Sequence, residues 1–227
     1  MKMELSLGGF ASICVVILSH SSSLFANTFQ ELSPEDQAKV ASGQMVTIYT
    51  DVTGAPWPKM KVYQRIDATP EEVMAVFSDY PLQSTYVPYV KVAKISQVID
   101  KSTALVDYTY NLPMGFGIEN YTVRDHIEAY DEGKSFTVNW VLVKADTTKR
   151  SEGEVRCEPL AGGGTLYTYD SFIWPNRWGT DLKWVIERAK QAVLDTVTAT
   201  AKQIQTEKTS SPEILQKQIQ DLHNAVS

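Results

Sequence analysis

The chain has 227 residues, 43% of them hydrophobic and 21% charged, with a formal net charge of −6. That acidic balance argues against general nucleic-acid binding and against a strongly basic membrane-docking surface. Cysteine and histidine are scarce: Cys157, His126 and His223 are all that follow the N-terminal leader, which makes a His/Cys zinc site improbable.

The leader comes first in the chain. Lys2 precedes an apolar stretch from Leu5 to Leu18, broken by Ser6, Gly8, Gly9 and Ser12 and followed by Ser19 to Ser23 and Leu24-Phe25-Ala26. A basic start, an apolar middle and a small-residue end predict a secretory signal peptide over residues 1–26, cut near Ala26. The run is shorter than the ~20 residues that span a bilayer comfortably, which sets aside an uncleaved anchor. Ile13 before Cys14 sets aside a lipoprotein signal. The protein is therefore expected to be exported, periplasmic or secreted, with residues 27–227 soluble. About 200 residues fit one domain, whose folding buries roughly 70% of the unfolded surface. With Cys157 the sole mature cysteine, an internal disulfide is impossible.

Residues 27–44 read as a helical extension. Ser33 can cap, Pro34 suits a first turn and Glu35-Asp36 favour the positive end of the helix dipole, with a stop near Gly43. Met45 to Tyr49 reads as a short strand, and Lys59 to Asp67 as another, with Met60, Val62 and Ile66 on one face. Thr69-Pro70-Glu71-Glu72 opens a helix that Pro81 ends, and a further helical turn covers Leu82 to Tyr86. Six strands follow: Val90–Ile99, Thr103–Asn111, Ile118–Tyr130, Ser135–Lys144, Ser151–Glu158 and Thr165–Trp174. Their links are short, so neighbours run antiparallel. A long helix then starts at Thr180 or Asp181 and runs to about Glu207, with Leu182, Val185, Ile186, Ala189, Ala192, Val193, Val197 and Ile204 as its apolar stripe. Residues 209–227 form a tail helix with a narrow apolar stripe, docking loosely or mobile. The fold class is α+β: a curved antiparallel sheet of about six to seven strands needs a partner for its apolar face, and the long C-terminal helix is the large one available.

Three segments resemble the START-like, helix-grip domains of the SRPBCC superfamily. They are Ala68-Thr69-Pro70-Glu71-Glu72-Val73 with Phe77-Ser78-Asp79-Tyr80, Leu112-Pro113 with Tyr121-Thr122-Val123-Arg124-Asp125, and Trp174-Pro175-Asn176 entering the long helix. The resemblance covers residues 45–208. It implies a helix-grip fold with a cavity for a lipid or other apolar molecule between sheet and helix, and no cofactor.

The cavity candidates are large amphipathic aromatics that pair a greasy ring with one hydrogen-bonding tip: Tyr108, Tyr110, Tyr121, Trp140, Tyr167 and Tyr169. Core packing or a cross-strand ladder is the alternative for each. Arg124 and Asp170 are added as polar contacts, Arg124 as a brace near the cavity rim and Asp170 as an anchor for a ligand's polar group, a partner for Arg124 or a carboxylate that faces water. On a strand Arg124 and His126 share a face and Asp125 points the other way. Arg150, Glu152, Glu154, Arg156 and Glu158 read as a solvated outer face, and Cys157 as a buried small hydrophobe. Pro113-Met114-Gly115-Phe116-Gly117 is an apolar gate that meets ligand or membrane, or else an ordinary hairpin turn.

The function expected is a monomeric, exported carrier of a lipid or other hydrophobic small molecule, with transient membrane contact and no nucleic acid. Two alternatives remain open. One is a cyclase- or dehydratase-like enzyme using His126 or Asp170 with cavity tyrosines. The other is a ligand-free interaction module with a filled core.

Overall fold

Side-chain alternation decides most of the architecture. The computed structural model describes residues 28–112 and 117–227. The expected signal peptide and most of the expected gate lie outside the described residues. The strands are β1 (Val46–Thr50), β2 (Lys59–Ile66), β3 (Val90–Val98), β4 (Thr103–Leu112), β5 (Gly117–Tyr130), β6 (Ser135–Ala145), β7 (Thr148–Pro159) and β8 (Thr165–Pro175). The helices are α1 (Pro34–Ala41), α2 (Pro70–Ser78), α3 (Tyr80–Tyr86), α4 (Lys183–Ser210) and α5 (Pro212–Val226).

All eight strands join one curved, unclosed sheet in the order β1-β2-β8-β7-β6-β5-β4-β3, every neighbouring pair antiparallel. The count exceeds the expected six to seven because β1, whose alternation is weak, still pairs with β2 and completes that edge. The long helix lies across the concave face, which is the helix-grip arrangement.

The short helices are set by their caps. Thr69 and Glu72 form a reciprocal capping box, with the Glu72 amide on Thr69 Oγ1 at 3.2 Å and the Thr69 amide on Glu72 Oε2 at 2.8 Å. Asp79 then caps α3 through the Leu82 amide at 3.3 Å. This fixes Tyr80, buried, at the first position of α3.

The start of α4 comes later than its apolar pattern suggests. Gly179 takes φ 78°, the left-handed region that glycine enters without strain. The Leu182 amide bonds back to Gly179 O at 3.2 Å, Thr180 Oγ1 donates to Arg177 O at 2.8 Å, and Thr180 O accepts the Trp57 indole N–H at 2.7 Å. Residues 179–182 are thus committed to a turn, and the helix begins at Lys183.

Two clusters divide the sheet faces. On the concave side Val62, Ile66, Phe136, Val138, Val155, Cys157 and Tyr167 pack against α2 and the C-terminal half of α4, through Val197 and Ile204. Leu215 and Leu222 of α5 belong to this same core, and Gln218 Nε2 donates to Asp79 Oδ2 at 3.0 Å. The tail helix is therefore docked on α2 through its narrow apolar stripe. On the convex side Leu32, Val40, Val46, Tyr63 and Leu166 form a second cluster, so the N-terminal extension shields part of the outer face. That contact takes Glu158 out of the expected solvated row. It is buried, accepts from both the amide and hydroxyl of Thr28, and burial raises its pKa.

Candidate functional site

Where α4 passes its small side chains over the sheet, the core opens. Ala189, Ala192 and Thr196 face Tyr108, Tyr110, Tyr121, Trp140 and Tyr169 across a cavity of about 260 Å³. Beyond Thr196 on α4, Val197, Ala201 and Ile204 close against the sheet. One amphipathic helix thus has a packed half and an open half.

The aromatic wall is ordered. Tyr108 and Tyr121 stack with centroids 5.0 Å apart and 12° between planes. Trp140 and Tyr169 meet at 5.5 Å and 42°, Tyr89 and Tyr110 at 5.8 Å and 46°. Tyr108 Oη donates to Gln83 Oε1 at 2.9 Å, and Gln83 Nε2 donates to Phe77 O at 2.8 Å. Burial raises the phenol pKa of Tyr108 and Tyr121 well above the ordinary value and pushes that of Tyr169 up to about 12. They act here as neutral hydroxyls.

Two carboxylates line the cavity, both on β5, in opposite states. Glu119 is saturated. It accepts the Thr147 amide at 2.9 Å, the Thr148 amide at 2.8 Å, Thr148 Oγ1 at 3.0 Å and the Thr147 hydroxyl, with Arg177 Nη2 at 3.7 Å. It fastens the β6–β7 hairpin to β5 and to the entry of α4. Asp125, six residues on and about 20 Å along the strand, is 4% exposed. Its Oδ1 has no hydrogen-bond partner among the described residues. Burial lifts its pKa to about 7, with the Tyr80 hydroxyl pulling the other way.

Of the residues read from the sequence, Tyr108, Tyr110, Tyr121, Trp140 and Tyr169 stand on the cavity wall. Tyr167 does not. It is fully buried in the packed half, edge-on to Phe77 at 6.3 Å. Arg124 and Asp170 are on the opposite face of the sheet: Arg124 is exposed, and Asp170 pairs with Lys59 at 3.0 Å. Strand parity is the reason. Tyr121 and Arg124 are three apart and Tyr169 and Asp170 adjacent, so an inward tyrosine turns its companion outward. His126 also faces outward, against Thr103 Oγ1 at 2.9 Å and Glu128 at 2.8 Å. The His126 or Asp170 chemistry weighed for an enzyme therefore has no access to the cavity. Asp125, the inward member of its triplet, lines the cavity and is not among the cavity residues read from the sequence. Tyr80, Gln83 and Trp57 come from helices and loops, where no alternation flags them. Among the described residues no group of three or more His, Cys, Asp or Glu side chains could hold a metal ion.

A curved antiparallel sheet gripping one long helix around an internal cavity defines a START-like protein of the SRPBCC superfamily. The chain belongs to the family described as polyketide cyclase / dehydrase and lipid transport, whose model matches residues 58–202. Among solved structures it is similar to a STAR-related lipid transfer protein from Xanthomonas axonopodis, at 16% identity and TM-score 0.63 over 71% of this chain and 93% of that one. It is also similar to human STARD10, at 12% identity and TM-score 0.61 over 76% and 72% of the two chains. The Zhui aromatase/cyclase from Streptomyces sp. R1128 matches at 15% identity and TM-score 0.51 over 74% and 98%. No curated protein sequence gives a significant match.

Proposed function

We propose that this protein is an exported carrier of a lipid or similar apolar small molecule, held in the cavity between α4 and the sheet. The observation that carries the reading is the cavity itself. An ordinary core at this size is close-packed, yet here about 260 Å³ stays open behind an aromatic and aliphatic wall with few polar groups, the usual character of a small-molecule site. The family's description and the basic–apolar–small pattern of residues 1–26 support carriage outside the cytoplasm.

Native mass spectrometry of protein purified from its source reads both halves of the proposal. The expected protein mass begins at Asn27, with added mass from a bound apolar molecule that organic extraction recovers. In Ala192→Trp, whose indole would occupy the cavity, the bound mass disappears while the circular dichroism spectrum is kept. A full-length mass overturns export with cleavage, and wild type that carries nothing and binds no apolar probe overturns the carrier.

Loading at a membrane surface fits the cavity's edge. Trp184 lines the cavity and is 49% exposed, while the same entry segment shows Leu182 at 42% and Trp178 at 94% exposure. Tryptophan suits an interface with one apolar and one wet side. Trp178→Ala is expected to reduce co-flotation with zwitterionic phosphatidylcholine vesicles several-fold; flotation equal to wild type removes this surface from the proposal.

A further inference from the structure

The inner end of the cavity is more specific than its greasy wall. Among the described residues that line it, Asp125 is the one whose side chain has a buried polar atom without a hydrogen-bond partner. Gln83, on the same cavity wall, is engaged elsewhere: it accepts from Tyr108 and donates to Phe77 O. Glu119, at the other end of the same strand, is held by two amides and two hydroxyls. A buried carboxyl oxygen without a donor carries a desolvation penalty. Glu119 shows that this fold surrounds a structural carboxylate with donors. Asp125 is not so surrounded, and it opens onto space large enough for a ligand.

We propose that Asp125 is the anchor of a recognition subsite for a hydrogen-bond donor, a hydroxyl or an amine, at the buried end of an otherwise apolar ligand. Tyr80, set at the start of α3 by the Asp79 cap, interacts with the Asp125 carboxyl through its hydroxyl. Tyr108, Tyr121 and Trp140 form the surrounding aromatic sleeve. The selected ligand therefore enters polar end first, with its apolar body against α4. A carboxyl poised near neutrality suits this role, because it can meet an amine as an anion or a hydroxyl in either form. The subsite rests on the cavity being a binding site, as proposed above.

Calorimetric titration with 1-decanol, decylamine and decyl methyl ether tests it, since the three share an apolar body and differ in donor capacity. In wild type the alcohol and the amine are expected to bind at least about tenfold tighter than the ether. D125L is expected to bring both down to the ether's affinity and leave the ether unchanged. D125N, which keeps an acceptor but no charge, retains the preference for the alcohol and loses that for the amine. If wild type binds all three equally, or if D125L keeps the preference, the subsite is wrong and Asp125 faces an ordered water only, while the carrier reading stands. If wild type binds none of the three, the carrier reading itself fails and the subsite with it.

Discussion

Gly153→Ala is expected to cost the folded domain about 3 kcal/mol or more, the upper range for overpacking, and to displace the Trp140 indole from the cavity wall. Gly153 is the central residue of β7, directly opposite Trp140 on β6 and Ser171 on β8. A Cβ placed there falls 2.6 Å from Trp140 Cη2, closer still to Cζ2, and inside contact distance of the Asp170 carbonyl oxygen. Its φ is not in the left-handed region, so the requirement is for space rather than for backbone freedom. The missing side chain lets the indole lie flat across β7 and reach Tyr169. The two clashes differ in how they can be relieved. Trp140 can swing into the cavity, but the carbonyl belongs to a strand paired on both sides with β2 and β7. Urea denaturation should show the loss, and near-ultraviolet circular dichroism should show the changed tryptophan environment. Gly153→Ala combined with Trp140→Leu should recover only part of the stability, because the backbone clash persists. A single variant with wild-type stability and an unchanged tryptophan signal would refute this reading.

That same position shows what sequence reasoning could and could not reach. The strands were legible because their alternation is clean and their turns are marked. Long apolar periodicity likewise identified α4, and the resemblance to START-like domains supplied the grip. Cavity residues were legible only within one strand at a time. Tyr108, Tyr110 and Tyr121 share parity with their buried neighbours Val106 and Val123, so each faces inward for a local reason. Arg124 and Asp170 attract attention through their chemistry instead, yet parity with Tyr121 and Tyr169 turns them outward. Applied consistently, the same rule would have selected Asp125. Gly153 is not legible within its own strand, since a glycine's role under an aromatic ring depends on cross-strand register, and register is set between segments. The docking of α5 was undecided for a similar reason: a narrow stripe becomes binding only when a matching surface on α2 is present.

The cavity also explains why Asp125 and Glu119 diverge although both are inward carboxylates on one strand. Glu119 sits beside a hairpin rich in hydroxyl and amide donors, so its charge is met by the chain itself. Asp125 sits beside tyrosines and apolar side chains, so its charge is met by little. The first arrangement holds a loop in place, and the second leaves an acceptor whose satisfaction falls to whatever fills the space.

In ligand-free protein, D125N is expected to gain stability on wild type by about 2–3 kcal/mol between pH 5 and pH 8. The groups facing Asp125 are Tyr80 from α3, Tyr108 from β4, Tyr121 on its own strand and Tyr169 from β8, all of them neutral hydroxyls through this range. Burial raises the aspartate from its ordinary 3.8 to about 7 in the folded chain. Above 3.8 the unfolded chain has released a proton that the folded chain keeps, so the unfolded state binds fewer protons. Stability contributed by this residue is therefore complete below 3.8, falls as pH rises, and levels off above about 7. An asparagine side chain does not titrate, so the difference between variant and wild type isolates this contribution from every other ionisable group. Urea unfolding of both proteins at each pH gives that difference directly. Parallel stability curves would mean that the folded carboxylate is already compensated, and that Asp125 is not the unsatisfied group its surroundings make it.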